Sequence, residues 1–127
     1  MKSNIYLFET ERGEKPVEEF IKSQNPQTVA KIIREIDLLE KYGHHLSLPH
    51  SKKITKELYE LRIKGKQEIR IIYVFLRNNI YLLSGFQKQS QKTPKREIKT
   101  AERRRKYCKS SLTYWTPLRS LNATDLS

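Results

Sequence analysis

The order of periodicities predicts an α+β domain: one strand, two helices, a three-stranded antiparallel meander and a last basic helix. Three observations carry it. A short aromatic and β-branched run opens the chain, apolar residues then repeat at helical spacing as far as Gly43, and three strand-like runs separated by two tight turns fill residues 57–86. Helices and antiparallel strands segregated in this way belong to an α+β architecture rather than an alternating α/β one. A chain of 127 residues is ordinarily one domain, read here as residues 1–109 with a tail at 110–127.

Asn4 to Glu9 (NIYLFE) has the composition of an N-terminal strand, and Thr10 to Glu14, with Gly13, supplies a turn. Pro16 suits a first helical turn, and Val17, Phe20 and Ile21 repeat at i, i+3, i+4 in a short helix ending before Asn25. Asn25 is a good cap for the next helix, Pro26 takes its first position, and Gly43 stops it. Val29, Ile32, Ile33, Ile36 and Leu39 form its apolar stripe, which reads as core, with Lys31, Arg34, Glu35 and Lys41 outward. His44 to Thr55 is a polar connector without periodicity.

Glu57 to Ile63 (ELYELRI) alternates, with Tyr59, Leu61 and Ile63 on one face and Leu58, Glu60 and Arg62 on the other. A turn centred on Gly65 leads to Glu68 to Leu76 (EIRIIYVFL), apolar on both faces like a central strand except at Arg70. Arg77-Asn78-Asn79 turns the chain into Ile80 to Phe86. After the loop Gln87 to Thr93, Thr93 is placed to cap a basic helix seamed by Ile98 and Ala101. Ser110 to Ser127 has no sustained period and is either docked through Leu112, Tyr114 and Trp115 or disordered.

Lys and Arg number 26 against 14 acids, a formal net charge of +12. A field of one sign concentrates polyanions, and nucleic acid is the commonest of these, although an anionic membrane or an acidic protein would be drawn as well. Cys108 is a lone thiol, which fits a reducing cytosol and a core held by packing. Met1 to Glu9 lacks a basic start followed by an apolar run, and no stretch approaches the ~20 apolar residues of a membrane span. A cytoplasmic protein without membrane contact is therefore expected.

No metal or cofactor is expected: three histidines and one cysteine are poorly spaced for a structural zinc, and there is no glycine-rich phosphate loop. His44, His45 and His50 read first as solvated loop residues and second as acid–base groups. Cations are what the chain supplies. Gly85 to Lys109 holds ten Lys or Arg against Glu97 and Glu102, many of which simply solvate a helix face. Arg62 and Arg70 are more informative, because a guanidinium inside an apolar strand either meets a carboxylate, here Glu60 or Glu68, or lines a cleft. On a twisted sheet both can project toward one face, with Lys88 past the third meander strand closing the cluster. Three converging cations suit a phosphate and the added negative charge of its pentacoordinate transition state. RNA carries its own 2′-hydroxyl nucleophile, so orientation, charge and proton transfer suffice to cut it.

The combination LYELR at Leu58 to Arg62, IRIIYVF at Ile69 to Phe75 and LLSGFQKQSQKTPKREI at Leu82 to Ile98 resembles the phage-derived, HigB-like branch of the RelE/ParE toxin superfamily. The resemblance covers about residues 4 to 107. It implies a RelE-like fold and a toxin that cleaves messenger RNA in the translating ribosome, neutralised by a small helix-turn-helix, HigA-like antitoxin; the pair is also a candidate binder of operator DNA. Carried over by position, Arg62, Arg70, Lys88 and Lys92 are the cleavage-site residues, with Glu60 as an orienting group or proton acceptor. Lys52, Lys53, Lys64, Lys66, Lys95, Arg96, Lys99 and Arg103 are assigned to the wider RNA and ribosome field. Gln89 and Ser90 depart from the branch, which often has lysine and threonine there, and the tail runs past its usual end. Two rival functions share the same charge or fold: a non-catalytic nucleic-acid-binding module, and a ParE-like inhibitor of DNA gyrase.

Overall fold

The computed structural model describes residues 3–108 and 112–114. After β1 (Asn4–Phe8) come α1 (Pro16–Lys22) and α2 (Pro26–Tyr42), then β2 (Ser51–Lys53), β3 (Leu58–Ile63), β4 (Ile69–Leu76) and β5 (Asn79–Gln87), and finally α3 (Lys95–Arg105) and β6 (Leu112–Tyr114). The architecture is α+β, with one sheet in the order β2-β3-β4-β5-β1-β6. Residues 109–111 and 115–127, most of the expected tail, lie outside the described residues; residues 112–114 pair through their backbone with β1.

Local signals explain the helices. Asn25 Oδ1 accepts from the Thr28 N–H at 2.8 Å, and Gly43 closes α2 with a left-handed φ of 52° that a side chain would strain. The stripe Val29, Ile32, Ile33, Ile36 and Leu39 is 5% exposed or less and packs with Leu61, Ile63, Ile71 and Tyr73 on one face of the sheet. Each such burial contributes about 1.5–3 kcal/mol. The opposite face carries Leu58, Ile72, Val74, Leu83 and Phe86 under Ala101 of α3. Thr93 does not cap α3: Pro94 is the capping residue, without a side-chain bond, and the Thr93 hydroxyl turns instead to Glu60. Among the described residues no helix is long and apolar enough to cross a membrane.

The sheet differs from the expected antiparallel one in two respects. β1 runs parallel to β5, from Asn4 opposite Asn79 to Leu7 opposite Leu82, so the sheet is mixed. Strand polarity leaves no mark on hydrophobic pattern; it follows here from two helices carrying the chain to the far edge, from which the meander returns to β1. The connector also contains a strand, β2, paired antiparallel to β3 with Ser51 opposite Leu61. Three residues reading Ser-Lys-Lys show no apolar alternation because Lys52 and Lys53 are exposed on the sheet's edge, where lysine blocks further pairing.

A register shift in the β4–β5 ladder places Ser84 opposite Ile72 and Leu82 opposite Tyr73, leaving Leu83 as the bulged residue. The Leu83 carbonyl then accepts a 2.8 Å hydrogen bond from Arg104 Nη1 of α3. Gly85 lies just beyond, under the ring of Phe20 from α1; a Cβ there would stand 2.6 Å from Phe20 Cδ2. Gly85→Ala is therefore expected to lower stability by about 1–3 kcal/mol, as overpacking does, and much less in a Phe20→Leu background. Urea unfolding of the four proteins checks this; equal losses in both backgrounds would locate the strain elsewhere.

Two buried acids set the alkaline limit. Burial pushes the Tyr73 hydroxyl from its ordinary 10.0 up to about 12, against the opposing effect of its hydrogen bond with Ser51. Burial likewise pushes the Cys108 thiol from 9.0 up to about 11. The folded chain holds both protons longer than the unfolded one, so their stabilisation is complete below pH 9 and is lost as pH rises from 9 through 12. Tyr73 alone accounts for roughly 2–3 kcal/mol once fully lost. Urea midpoints measured from pH 8 to 11.5 should fall, and Tyr73→Phe should flatten the part of the fall above pH 10.

Candidate functional site

Alternation along β3 and β4 puts Glu60, Arg62, Arg70 and Ile72 on the α3 face of the sheet. The register makes Arg62 the direct cross-strand partner of Arg70 and sets Glu60 opposite Ile72. Side by side, two guanidinium groups repel unless carboxylates neutralise them; Glu60 lies between the two and Glu68 flanks Arg70. Glu60 Oε1 is 3.6 Å from Arg70 Nε and 4.0 Å from Arg62 Nε. Glu68 Oε2 accepts from Arg70 Nη1 at 3.0 Å. Thr93, from the loop before α3, donates to Glu60 Oε2 at 2.7 Å.

Burial separates the members. Arg70 is 1% exposed and Glu60 3%, so both are closed to solvent, and Arg70 Nη1 also donates to the Ile69 carbonyl. The Arg62 side chain is 22% exposed and is the guanidinium of the pair that reaches the surface. Its Nε is buried without a hydrogen-bond partner, as is Nε of Arg70, so the cluster is held by charge more than by a closed network of hydrogen bonds. Arg70's hydrogen bond and charge hold the Glu68 carboxyl below its usual range against the effect of desolvation, with Lys88 and Arg62 adding to the fall. Lys88 is tied there by its backbone N–H, which donates to the Glu68 carbonyl at 2.7 Å. Lys92 is exposed on the loop, where its carbonyl accepts from the Ser90 hydroxyl.

At the outer edge of β3 a second arrangement adjoins the first through Arg62. A cleft of about 230 Å³ is lined by Lys31, Arg34 and Glu35 of α2, by Pro49 and His50, and by Arg62, Ile63 and Lys64. Glu35 Oε1 is 2.8 Å from His50 Nδ1. Lys31 leans across to the β3–β4 turn, its Nζ 2.9 Å from where a Cβ on Gly65 would stand. A neighbouring cleft of about 200 Å³ shares Lys31, Ile63 and Lys64 and continues past Lys66 to the start of α2. Sequence reasoning passes over this arrangement. Lys31, Arg34 and Glu35 stand at i, i+3, i+4 on the polar face of α2, a signal identical to plain solvation. His44, by contrast, is stacked on Phe75 with ring centroids 3.7 Å apart.

The wider cations fall into groups. Lys52 and Lys53 are exposed on β2, and Lys64 and Lys66 on the β3–β4 turn. Lys95, Arg96, Lys99 and Arg103 are exposed along α3, whereas Arg104 holds the bulge carbonyl and Arg105 pairs with Glu57 at 2.8 Å. Among the described residues no group of three or more His, Cys, Asp or Glu is placed to hold a metal ion.

No curated protein matches the chain. The family model for phage-derived Gp49-like proteins matches residues 19–106, from within α1 to just past α3. The match takes in both arrangements, the Arg62–Arg70 row and the α2 cleft, and more than half of the chain. The chain therefore belongs to the phage-derived, Gp49-like protein family, which lies within the RelE/HigB-like toxin superfamily.

Proposed function

We propose that the chain is the toxin of a toxin–antitoxin pair, in the HigB-like manner and on a RelE-like fold, and that it cuts messenger RNA on the ribosome at the cations around Arg62. One observation carries the reading: a strand arginine reaches the surface between a buried Glu60–Arg70 pair and a cation-lined cleft. In this reading Arg62 touches the scissile phosphate, with Lys88 and Lys92 beside it. Arg70 and Glu60 are positioning residues that hold the Arg62 guanidinium in one orientation. RNA supplies the nucleophile, so cations and one proton acceptor complete the chemistry. The exposed lysines of β2, the β3–β4 turn and α3 provide the field that docks the RNA and the ribosome, and a small helix-turn-helix antitoxin is the partner that blocks them.

Primer extension on messenger RNA from cells producing the chain tests this. New 5′ ends within coding regions, together with arrested growth, are expected for the wild type and neither for Arg62→Ala. Steeply salt-dependent RNA binding with no new ends would favour a binding module instead. Inhibited supercoiling by gyrase, with translation intact, would favour a protein target.

A further inference from the structure

Cleavage at Arg62 needs a group that takes the proton from the attacking hydroxyl, and guanidinium and ammonium groups are poor acceptors at neutral pH. Glu60 is closed to solvent and already accepts from Thr93. His50 is placed differently. Its side chain is 40% exposed, it lines the α2 cleft, and its Nδ1 faces the Glu35 carboxylate at 2.8 Å. Among the described residues its Nε2 has no hydrogen-bond partner.

We infer that His50, held by Glu35, is the proton acceptor for cleavage of a ribonucleotide phosphodiester seated in this cleft. The inference rests on the reading of the chain as a ribonuclease. A carboxylate on Nδ1 holds the neutral ring in the tautomer with hydrogen on Nδ1, leaving the Nε2 lone pair free toward the cleft. The Arg62 N–H donates to the His50 carbonyl at 2.8 Å, so the phosphate-binding arginine and the base are fixed backbone to backbone. Lys31 and Arg34 from α2, and Lys64 from the turn, line the cleft together with His50 and Glu35, and Arg62 borders it. Three cations, Lys31, Arg34 and Lys64, lining one cleft with an imidazole suit a phosphate with its developing charge.

In the step, a bond forms from the 2′ oxygen to phosphorus as the bond from phosphorus to the 5′ oxygen breaks. The 2′ proton passes to His50 Nε2. The departing 5′ oxygen takes a proton from water, and His50 returns its own to solvent. The ends produced are a 2′,3′-cyclic phosphate and a 5′-hydroxyl, and no oxidant or other co-reactant enters.

Single-turnover cutting of messenger RNA on programmed ribosomes, followed from pH 5.5 to 8.5, tests the assignment. The wild-type rate should rise with pH, as a reaction that needs an unprotonated acceptor does. His50→Gln should cut at least about 10²-fold more slowly and lose that rise. Glu35→Gln should cut more slowly across the whole range, because an amide that can turn its NH2 toward Nδ1 no longer fixes the tautomer, while its urea midpoint changes little; a Glu35→Gln protein that cuts at the wild-type rate overturns its positioning role. A cutting His50→Gln protein with the wild-type profile overturns the inference and spares the ribonuclease reading. A wild type that does not cut overturns both. Should His50→Gln fail to fold, the wild-type His50 ring resonances decide, titrated with an uncleavable 2′-O-methyl RNA oligonucleotide. Movement supports the seat, and no movement overturns it.

Discussion

Glu60→Ala is expected to destabilise the fold by about 3 kcal/mol or more, the range for removing one partner from a buried ion pair. Arg70 is 1% exposed and keeps Glu68 on Nη1, but Glu60 is the carboxylate nearest Nε, and alanine leaves that edge of the guanidinium uncompensated. The Thr93 hydroxyl loses its acceptor in the same substitution. Glu68→Ala removes a half-exposed partner and should cost about 1 kcal/mol or less. Urea unfolding followed by circular dichroism measures both. Replacing the pair together, Glu60→Leu with Arg70→Met, should recover most of the loss, since a buried pair is often no more stabilising than apolar residues of similar volume. A stable but inactive double mutant would identify the pair as a positioning device. A loss below 1 kcal/mol for Glu60→Ala would mean that water replaces the carboxylate beside Arg70.

The second large effect is on rate. Arg62→Ala should lower cleavage by about 10²–10³-fold, the range for deleting one preorganised donor to a developing anion. Its urea midpoint should move little, because the side chain is partly exposed and its nearest carboxylate stands 4.0 Å away. Arg62→Lys should restore only part of the rate, since an ammonium cannot present the planar pair of donors. Lys52→Ala and Lys99→Ala, both on exposed positions, should each weaken RNA binding modestly and lower its salt slope by about one unit or less. An Arg62→Ala protein that cuts at the wild-type rate removes Arg62 from the site.

Where hydrophobic period decides structure, the elements were legible. The caps and stripe of α2 and the alternation of Tyr59, Leu61 and Ile63 in β3 sit where their spacing puts them. So does the side-by-side placement of Arg62 and Arg70, because a two-residue period and one short turn determine which residues of a hairpin face each other. The parallel pairing of β1 was not legible, since polarity is a property of topology. β2 was hidden because an edge strand needs no apolar residue on its open side. At the site, burial was the missing quantity. An arginine in an apolar strand looks the same whether part of it reaches the surface, like Arg62, or it is closed against two glutamates, like Arg70. The Glu35–His50 contact joins a helix face to a loop 15 residues later, and only the packed edge of the sheet brings them together.

The parallel β1–β5 ladder also orders events during synthesis. β1 leaves the ribosome well before its partner, which begins at Asn79. Until then Ile5 and Leu7, fully or almost fully buried in the finished sheet, have no strand to lie beside, while α2 is complete by Tyr42 and the β3–β4 hairpin by Leu76. Closure of the sheet therefore waits on β5, as pairings distant in sequence do. A nascent chain arrested short of Asn79 would carry Arg62 and the α2 cleft on an open, unfinished sheet. Pulse proteolysis of stalled chains of increasing length should show protection of β1 appearing only once β5 has emerged.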